Sequence, residues 1–180
     1  MLRLLATALL LLPLGVCARD WQVVPASSSL TFKCSYQGTA FEGKFGKFNA
    51  AIAWDATNLA ASKFDVSVDL ASADTGNSDR DDALTGSDFF DTTKFPQAHF
   101  VTTTFTKSAD GGVVASGNLT LRGQTHPVTL KVAFVDNGNT ATLDVDTTLK
   151  RADFGLGTSS DWAEVGANVP VHGHLVLTGK

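Results

Sequence analysis

His172 and His174 stand two apart in an alternating run, so on a strand they share a face, a spacing used in some zinc sites. Val171, Gly173, Leu175 and Leu177 take the opposite, apolar face, which puts the histidines outside. No Cys or acidic cluster completes a ligand set, and no metal and no cofactor is expected. Asp79, Asp81 and Asp82 could offer paired carboxylates for acid–base work. That chemistry needs one of them in a site that raises its pKa, and an acidic, exposed helical turn is a poor place for it. His99 reads as a residue with a local hydrogen bond, and His126 precedes Pro127 at a strand start. Cys34 alternates with Leu30, Phe32 and Tyr36, and neither a Cys-x-x-Cys pattern nor a basic neighbourhood activates it, so it reads as a buried, inert thiol. Gly-x-Ser-x-Gly elbows, phosphate-cradling glycine loops and Cys–His arrangements are missing from the sequence. The expectation is a protein that is not an enzyme.

The elements that would hold these residues have period two. Leu30, Phe32, Cys34 and Tyr36 alternate with polar neighbours, as do Phe64, Val66, Val68 and Leu70, and Phe48, Ala50, Ile52 and Trp54 share one face of a further run. Further rows are His99, Val101, Thr103, Phe105; Val113, Ala115, Gly117, Leu119, Leu121; and Val128, Leu130, Val132, Phe134. Ala141, Leu143, Val145, Thr147, Leu149 and then Val169, Val171, Gly173, Leu175, Leu177 complete the series. Each predicts a strand with one buried face. Asp110-Gly111-Gly112 and Asp136-Asn137-Gly138-Asn139 read as hairpin turns. The fold class is therefore all-β. About eight antiparallel strands can close into a barrel that has no edges and whose interior holds side chains or one small ligand.

Residues 74–96 break the pattern between the third and fourth strands. They hold six Asp against Arg80 and Lys94, with Asn77 or Ser78 as an N-cap for one or two helical turns and Phe89, Phe90 and Phe95 as apolar anchors. An insertion of this length suits a plug or a lid over one barrel end. Residues 155–168 form a second irregular stretch.

The start of the chain reads as an export signal rather than as part of the fold. Arg3 precedes an apolar run from Leu4 to Leu14, and Val16-Cys17-Ala18 offers a cleavage site. Cleavage after Ala18 leaves residues 19–180 as one domain, periplasmic or secreted, with no transmembrane segment; the run is shorter than the roughly 20 residues a spanning helix needs. The rival reading is acylation of Cys17. A formal net charge of −4 and the lack of any basic run speak against nucleic acid as a partner. Homodimerisation stays open, since a barrel surface can dimerise without a coiled-coil seam.

A set of motifs then gives the chain a family likeness. Ser28-Ser29-Leu30-Thr31-Phe32, Glu42-Gly43-Lys44-Phe45-Gly46-Lys47-Phe48 and Asp74-Thr75-Gly76 are followed by Arg80-Asp81-Asp82-Ala83-Leu84, Asp88-Phe89-Phe90-Asp91, Phe95-Pro96 and His99-Phe100. Gly117-Asn118-Leu119-Thr120-Leu121-Arg122-Gly123 and Arg151-Ala152-Asp153-Phe154-Gly155 complete the order. In this the chain resembles the YceI family of exported, lipocalin-like barrels that bind polyisoprenoids and related lipids. It departs at Ala83, where the family often has His, and around Asp161-Trp162-Ala163-Glu164. The resemblance implies an eight-stranded antiparallel barrel whose lumen takes a prenyl or acyl chain. Twelve Phe against one Tyr agree with hydroxyl-free walls. The expected lining is Phe32, Phe45, Phe48, Ile52, Phe64, Val66, Val68, Phe100, Phe105, Leu119 and Phe134. Arg80 and Arg151 lie in family motifs beside Asp79, Asp81 and Asp153. Each is read as a structural ion pair or as a contact to an anionic head group. A hydrolase or isomerase acting on such a lipid, and an accessory partner of a membrane redox system, remain the alternatives.

Overall fold

The structure, a computed structural model, describes residues 18–180. The expected export signal and Cys17 lie outside the described residues. The described residues form eleven strands: β1 (Arg19–Val23), β2 (Ser29–Tyr36), β3 (Thr39–Phe45), β4 (Phe48–Trp54), β5 (Lys63–Asp69), β6 (Ala73–Asp74), β7 (Gln97–Lys107), β8 (Val113–Leu121), β9 (Gln124–Asp136), β10 (Thr140–Lys150) and β11 (Asn168–Gly179). Among the described residues one α-helix, α1 (Ser78–Thr85), lies between β6 and β7.

These strands make a closed, eight-stranded antiparallel barrel. Register explains the arithmetic. β2 and β3 form a hairpin from Tyr36↔Thr39 to Thr31↔Lys44, and β1 and β4 continue the same pairing at Trp21↔Ile52. Thus β1 and β2 are two halves of one bent course, broken by a 3-10 turn at Pro25–Ser27, and β3 and β4 are halves of the next. These two courses are completed to eight by β5, β7, β8, β9, β10 and β11, and the last returns to the first at Val171↔Phe32 and Trp21↔Gly179. β6 is a short ribbon on β3.

The expected strands at 30–36 and 48–54 are therefore one half each of two longer courses. The other half of the second course, β3, escapes the alternation rule because Gly43 occupies an inward position between Phe41 and Phe45. The ring of Phe32 fills that place, and a Cβ on Gly43 would lie 2.3 Å from Phe32 Cζ. The expected row of His99 with Phe105 is corrected. A bulge between Thr102 and Thr104 shifts the register of β7 against β8. The extra residue reverses the parity of the strand, so both Phe100 and Phe105 reach the interior while His99 stays outside. Thr102 Oγ1 accepts the Phe64 N–H at 2.9 Å and takes over a ladder bond at the bulge.

The interior has two packed ends. At one, Trp21, Ile52, Trp54, Phe64, Leu143 and Leu177 form a buried floor, joined by the half-buried Phe48, Phe105 and Phe134. Its rings interlock, Trp54 stacking on Phe134 at 4.9 Å and Phe64 meeting Phe105 edge-on at 4.9 Å. At the other end Phe89, Phe90, Leu121, Phe154 and Leu156 form a lid core, with Leu84, Trp162 and Val165 packed against it.

Candidate ligand-binding cavity

Between floor and lid lies a cavity of about 420 Å³, within the range of about 300–1,000 Å³ common for small-molecule sites. Its wall is the middle of the barrel. Leu30, Phe32 and Cys34 come from β2, Phe41 and Phe45 from β3, Val66 and Val68 from β5, Phe100 from β7, and Leu119 from β8. Val145, Thr147 and Leu149 of β10 and Val169 and Val171 of β11 close the ring. Val66, Val68, Leu119 and Val145 point inward yet keep intermediate exposure, because they face this space and not packed neighbours. The wall is apolar apart from Tyr36, Asp79, Arg80, Thr147, Arg151 and the Cys34 thiol.

The expected lining residues divide between the two levels. Phe32, Phe45, Val66, Val68, Phe100 and Leu119 lie at the cavity wall. Phe48, Ile52, Phe64, Phe105 and Phe134 lie instead in the floor, where they pack on Trp21 and Trp54. Alternation identifies which face a residue occupies and says nothing about its height in the barrel. Among the lining residues that the expected list leaves out are Leu30, Cys34, Tyr36 and Phe41, and the lid residues Leu156, Trp162 and Val165. The first three were legible as an inward row; the lid residues come from the irregular 155–168 stretch, which carries no period to read.

The lid joins both irregular segments. Asn77 caps α1 by accepting the Arg80 N–H at 3.0 Å, and Phe89 and Phe90 then drop into the barrel mouth. Asp88 accepts the Trp162 indole N–H at 2.9 Å, and its carbonyl accepts Gly157 N–H at 2.6 Å. Trp162 meets Phe89 edge-on at 4.9 Å. Arg122 donates to the carbonyls of Ser87 and Gly155, one on each segment, at 2.6 and 2.5 Å.

The two candidate arginines differ in kind. Neither forms an ion pair with a carboxylate among the described residues, so the expected pairs with Asp79, Asp81 and Asp153 are corrected. Arg151 gives all five of its N–H groups to backbone carbonyls. Nε reaches Gly166 at 3.1 Å, Nη1 reaches Leu156 at 2.8 Å and also Gly157, and Nη2 reaches Trp162 at 3.1 Å and Val165 at 3.0 Å. It clamps the second lid segment and has no donor left for a ligand. Arg80 donates only to Thr75, from Nε to Oγ1 at 3.2 Å and from Nη2 to the carbonyl at 3.3 Å. Its guanidinium lies 4.7 Å above the ring of Phe41. Asp81, an expected partner of Arg80, instead accepts from Thr75 N and Oγ1 at 2.9 and 2.7 Å. Ala83, the departure from the family pattern, also lies on this wall.

The histidines lie off the cavity wall. His99 Nε2 is 2.8 Å from Asp65, His172 Nδ1 is 2.8 Å from Asp146, and His174 Nδ1 is 2.6 Å from Asp144, all on the outer face. His99, through its hydrogen bond and charge and with Lys63 nearby, holds the Asp65 carboxyl below its ordinary value against the opposing effect of burial. His126 meets Phe154 edge-on at 5.1 Å. Among the described residues no group of three or more His, Cys, Asp or Glu is placed to hold a metal ion.

Residues 21–177 match the family model described as YceI-like domain. A UPF0312 protein of Vibrio parahaemolyticus is 37% identical over 131 residues, covering 71% of this chain and 69% of its own. One from Shewanella baltica is 34% identical over 178 residues, covering 92% and 93%. Among solved structures, BcnA of Burkholderia cenocepacia is similar with a TM-score of 0.81 at 31% identity, over 86% of this chain and 99% of BcnA. A polyisoprenoid binding domain from Saccharophagus degradans has a TM-score of 0.69 over 89% of this chain and 98% of its own. At 16% identity that likeness shows the fold alone.

Proposed function

The chain belongs to the YceI-like family, and from that premise we propose that it is an exported binding protein that carries a long apolar chain, a polyisoprenoid or a fatty-acid-like lipid, in its barrel. The observation that carries this reading is the roofed, apolar cavity between an aromatic floor and a lid. A barrel built only to be a core would continue the floor packing to the other end. Hydrocarbon burial at about 0.8 kcal/mol per CH₂ gives several kcal/mol for each isoprene unit, so tight binding needs few polar contacts. The polyisoprenoid binding domain of similar fold favours the same ligand class. Binding rather than catalysis also suits the wall, where Arg151 is held by backbone carbonyls and the other polar groups, Cys34, Tyr36, Asp79, Arg80 and Thr147, stand among hydrocarbon side chains.

Export is part of the proposal. Cleavage after Ala18 would release a chain whose first residue, Arg19, opens β1 and closes the barrel through β4 and β11. Native mass spectrometry of protein purified from its own host tests the carrier reading. A co-purifying lipid of defined mass supports it. A lumen that is empty and also refuses added prenyl chains sinks it. Intact mass of the released protein tests export, with Arg19 expected as the first residue.

A further inference from the structure

Among the described residues, Arg80 is the one cation on the cavity wall with donors to spare, since Arg151 is occupied in full. Two of its five N–H groups go to Thr75, which fixes the guanidinium through its Nε side. Both Nη1 hydrogens and one on Nη2 have no partner among the described residues, and the ring of Phe41 holds the plane of the group. A guanidinium prepared in this way presents an edge that matches two coplanar oxygens. We infer that Arg80 anchors the head of the ligand, and that this head is a carboxylate carried on an apolar tail.

Two observations choose the carboxylate over a more highly charged group. Asp79 lines the cavity with Arg80, and Asp81 and Asp82 follow on α1, so the charge field at the mouth opposes an anion in proportion to its charge. A single carboxylate adds least to that field and still takes two hydrogen bonds from the free edge of Arg80. A diphosphate would bring excess charge into the field of these aspartates with no second free arginine to meet it. The placement also orients the ligand. Arg80 and α1 belong to the lid, and the far end of the cavity is the closed aromatic floor, so the head lies at the mouth and the tail points toward Trp54 and Phe64.

This inference rests on the carrier reading, and one set of probes separates the two. The lipid-free mature protein is titrated with geranylgeranoic acid, geranylgeraniol and geranylgeranyl diphosphate, which share a tail and differ in the head. The acid is expected to bind about ten- to a hundredfold more tightly than the alcohol, the worth of charge-assisted hydrogen bonds. Arg80→Gln should close that gap, while Arg80→Lys, which keeps the charge without the fork, should retain part of it. Equal affinity for acid and alcohol in the wild-type protein, or a gap that survives in R80Q, overturns the head-group assignment and leaves the carrier standing. Tighter binding of the diphosphate than of the acid overturns the choice of a carboxylate. Failure to bind any of the three removes the carrier reading and this inference with it.

Discussion

At the scale of single residues, the two arginines show how one side-chain type takes two roles. Arg151 satisfies five carbonyls contributed by residues 156–166 of the lid. Arg151→Met would leave those acceptors without a donor, and a cost of about 2–4 kcal/mol in urea unfolding is expected. Arg151→Lys should recover only a fraction, since an ammonium has three donors and no planar fork. Wild-type stability in the methionine variant would refute the clamp. Asp55 makes one of the pH-dependent contributions, beside Asp65, Asp74 and Asp110, whose carboxyls are also held below their ordinary values. Its Oδ1 accepts from Thr57 Oγ1 at 2.7 Å, Asn58 N at 2.9 Å and Thr57 N at 2.8 Å, which holds the carboxyl below its ordinary value although burial opposes this. A lowered folded pKa means that the stabilisation is complete above the unfolded value of about 3.9 and is lost as pH falls through the folded one. Asp55→Asn should therefore be less stable than wild type at about pH 7, with the difference shrinking toward about pH 3. Urea midpoints at both pH values measure it, and a difference that grows on acidification would contradict the assignment.

The strands themselves depend on a few glycines and one bulge. Gly117 in β8 lies beneath the ring of Phe100, and a Cβ there would sit 2.4 Å from the carbonyl oxygen of Val101 and 2.6 Å from Phe100 Cζ. The nearest atom is backbone, which cannot move aside without breaking the ladder to β7. Gly117→Ala is expected to cost about 1–3 kcal/mol and to displace Phe100 from the cavity wall, visible as both a lower urea midpoint and weaker ligand uptake. Period two reveals every course of this barrel because each has one apolar face, and it places the insertion correctly between β5 and β7. It fails at Gly43, where the inward position is filled by a neighbour's ring, and at the β7 bulge, where one extra residue changes the face of everything after it. Such features are long-range: Phe32 fills the place at Gly43 across a strand pair, and nothing local in Glu42-Gly43-Lys44 announces it. The Arg151 clamp is of the same kind, because its acceptors come from a segment without periodicity.

For the molecule as a whole, the division into floor, cavity and lid decides what a substitution does, and height in the barrel is the variable that the sequence does not encode. Phe64 and Val66 occupy the same face of β5, two residues apart, yet Phe64 is 1% exposed in the floor and Val66 faces the cavity. Phe64→Ala should cost about 3–5 kcal/mol, as expected for a buried ring removed from a packed site. Val66→Phe is the opposite test. Added bulk in a packed core costs about 1–3 kcal/mol, whereas added bulk in an empty space fills it and commonly stabilises. The lipid-free V66F protein is therefore expected to match or exceed the wild type in stability while losing ligand affinity, because the new ring occupies the path of the tail. Thermal unfolding of the lipid-free proteins, followed by titration with a prenyl alcohol, measures both halves. A destabilised V66F protein with unchanged affinity would mean that the middle of the barrel is an ordinary core and that the ligand lies elsewhere.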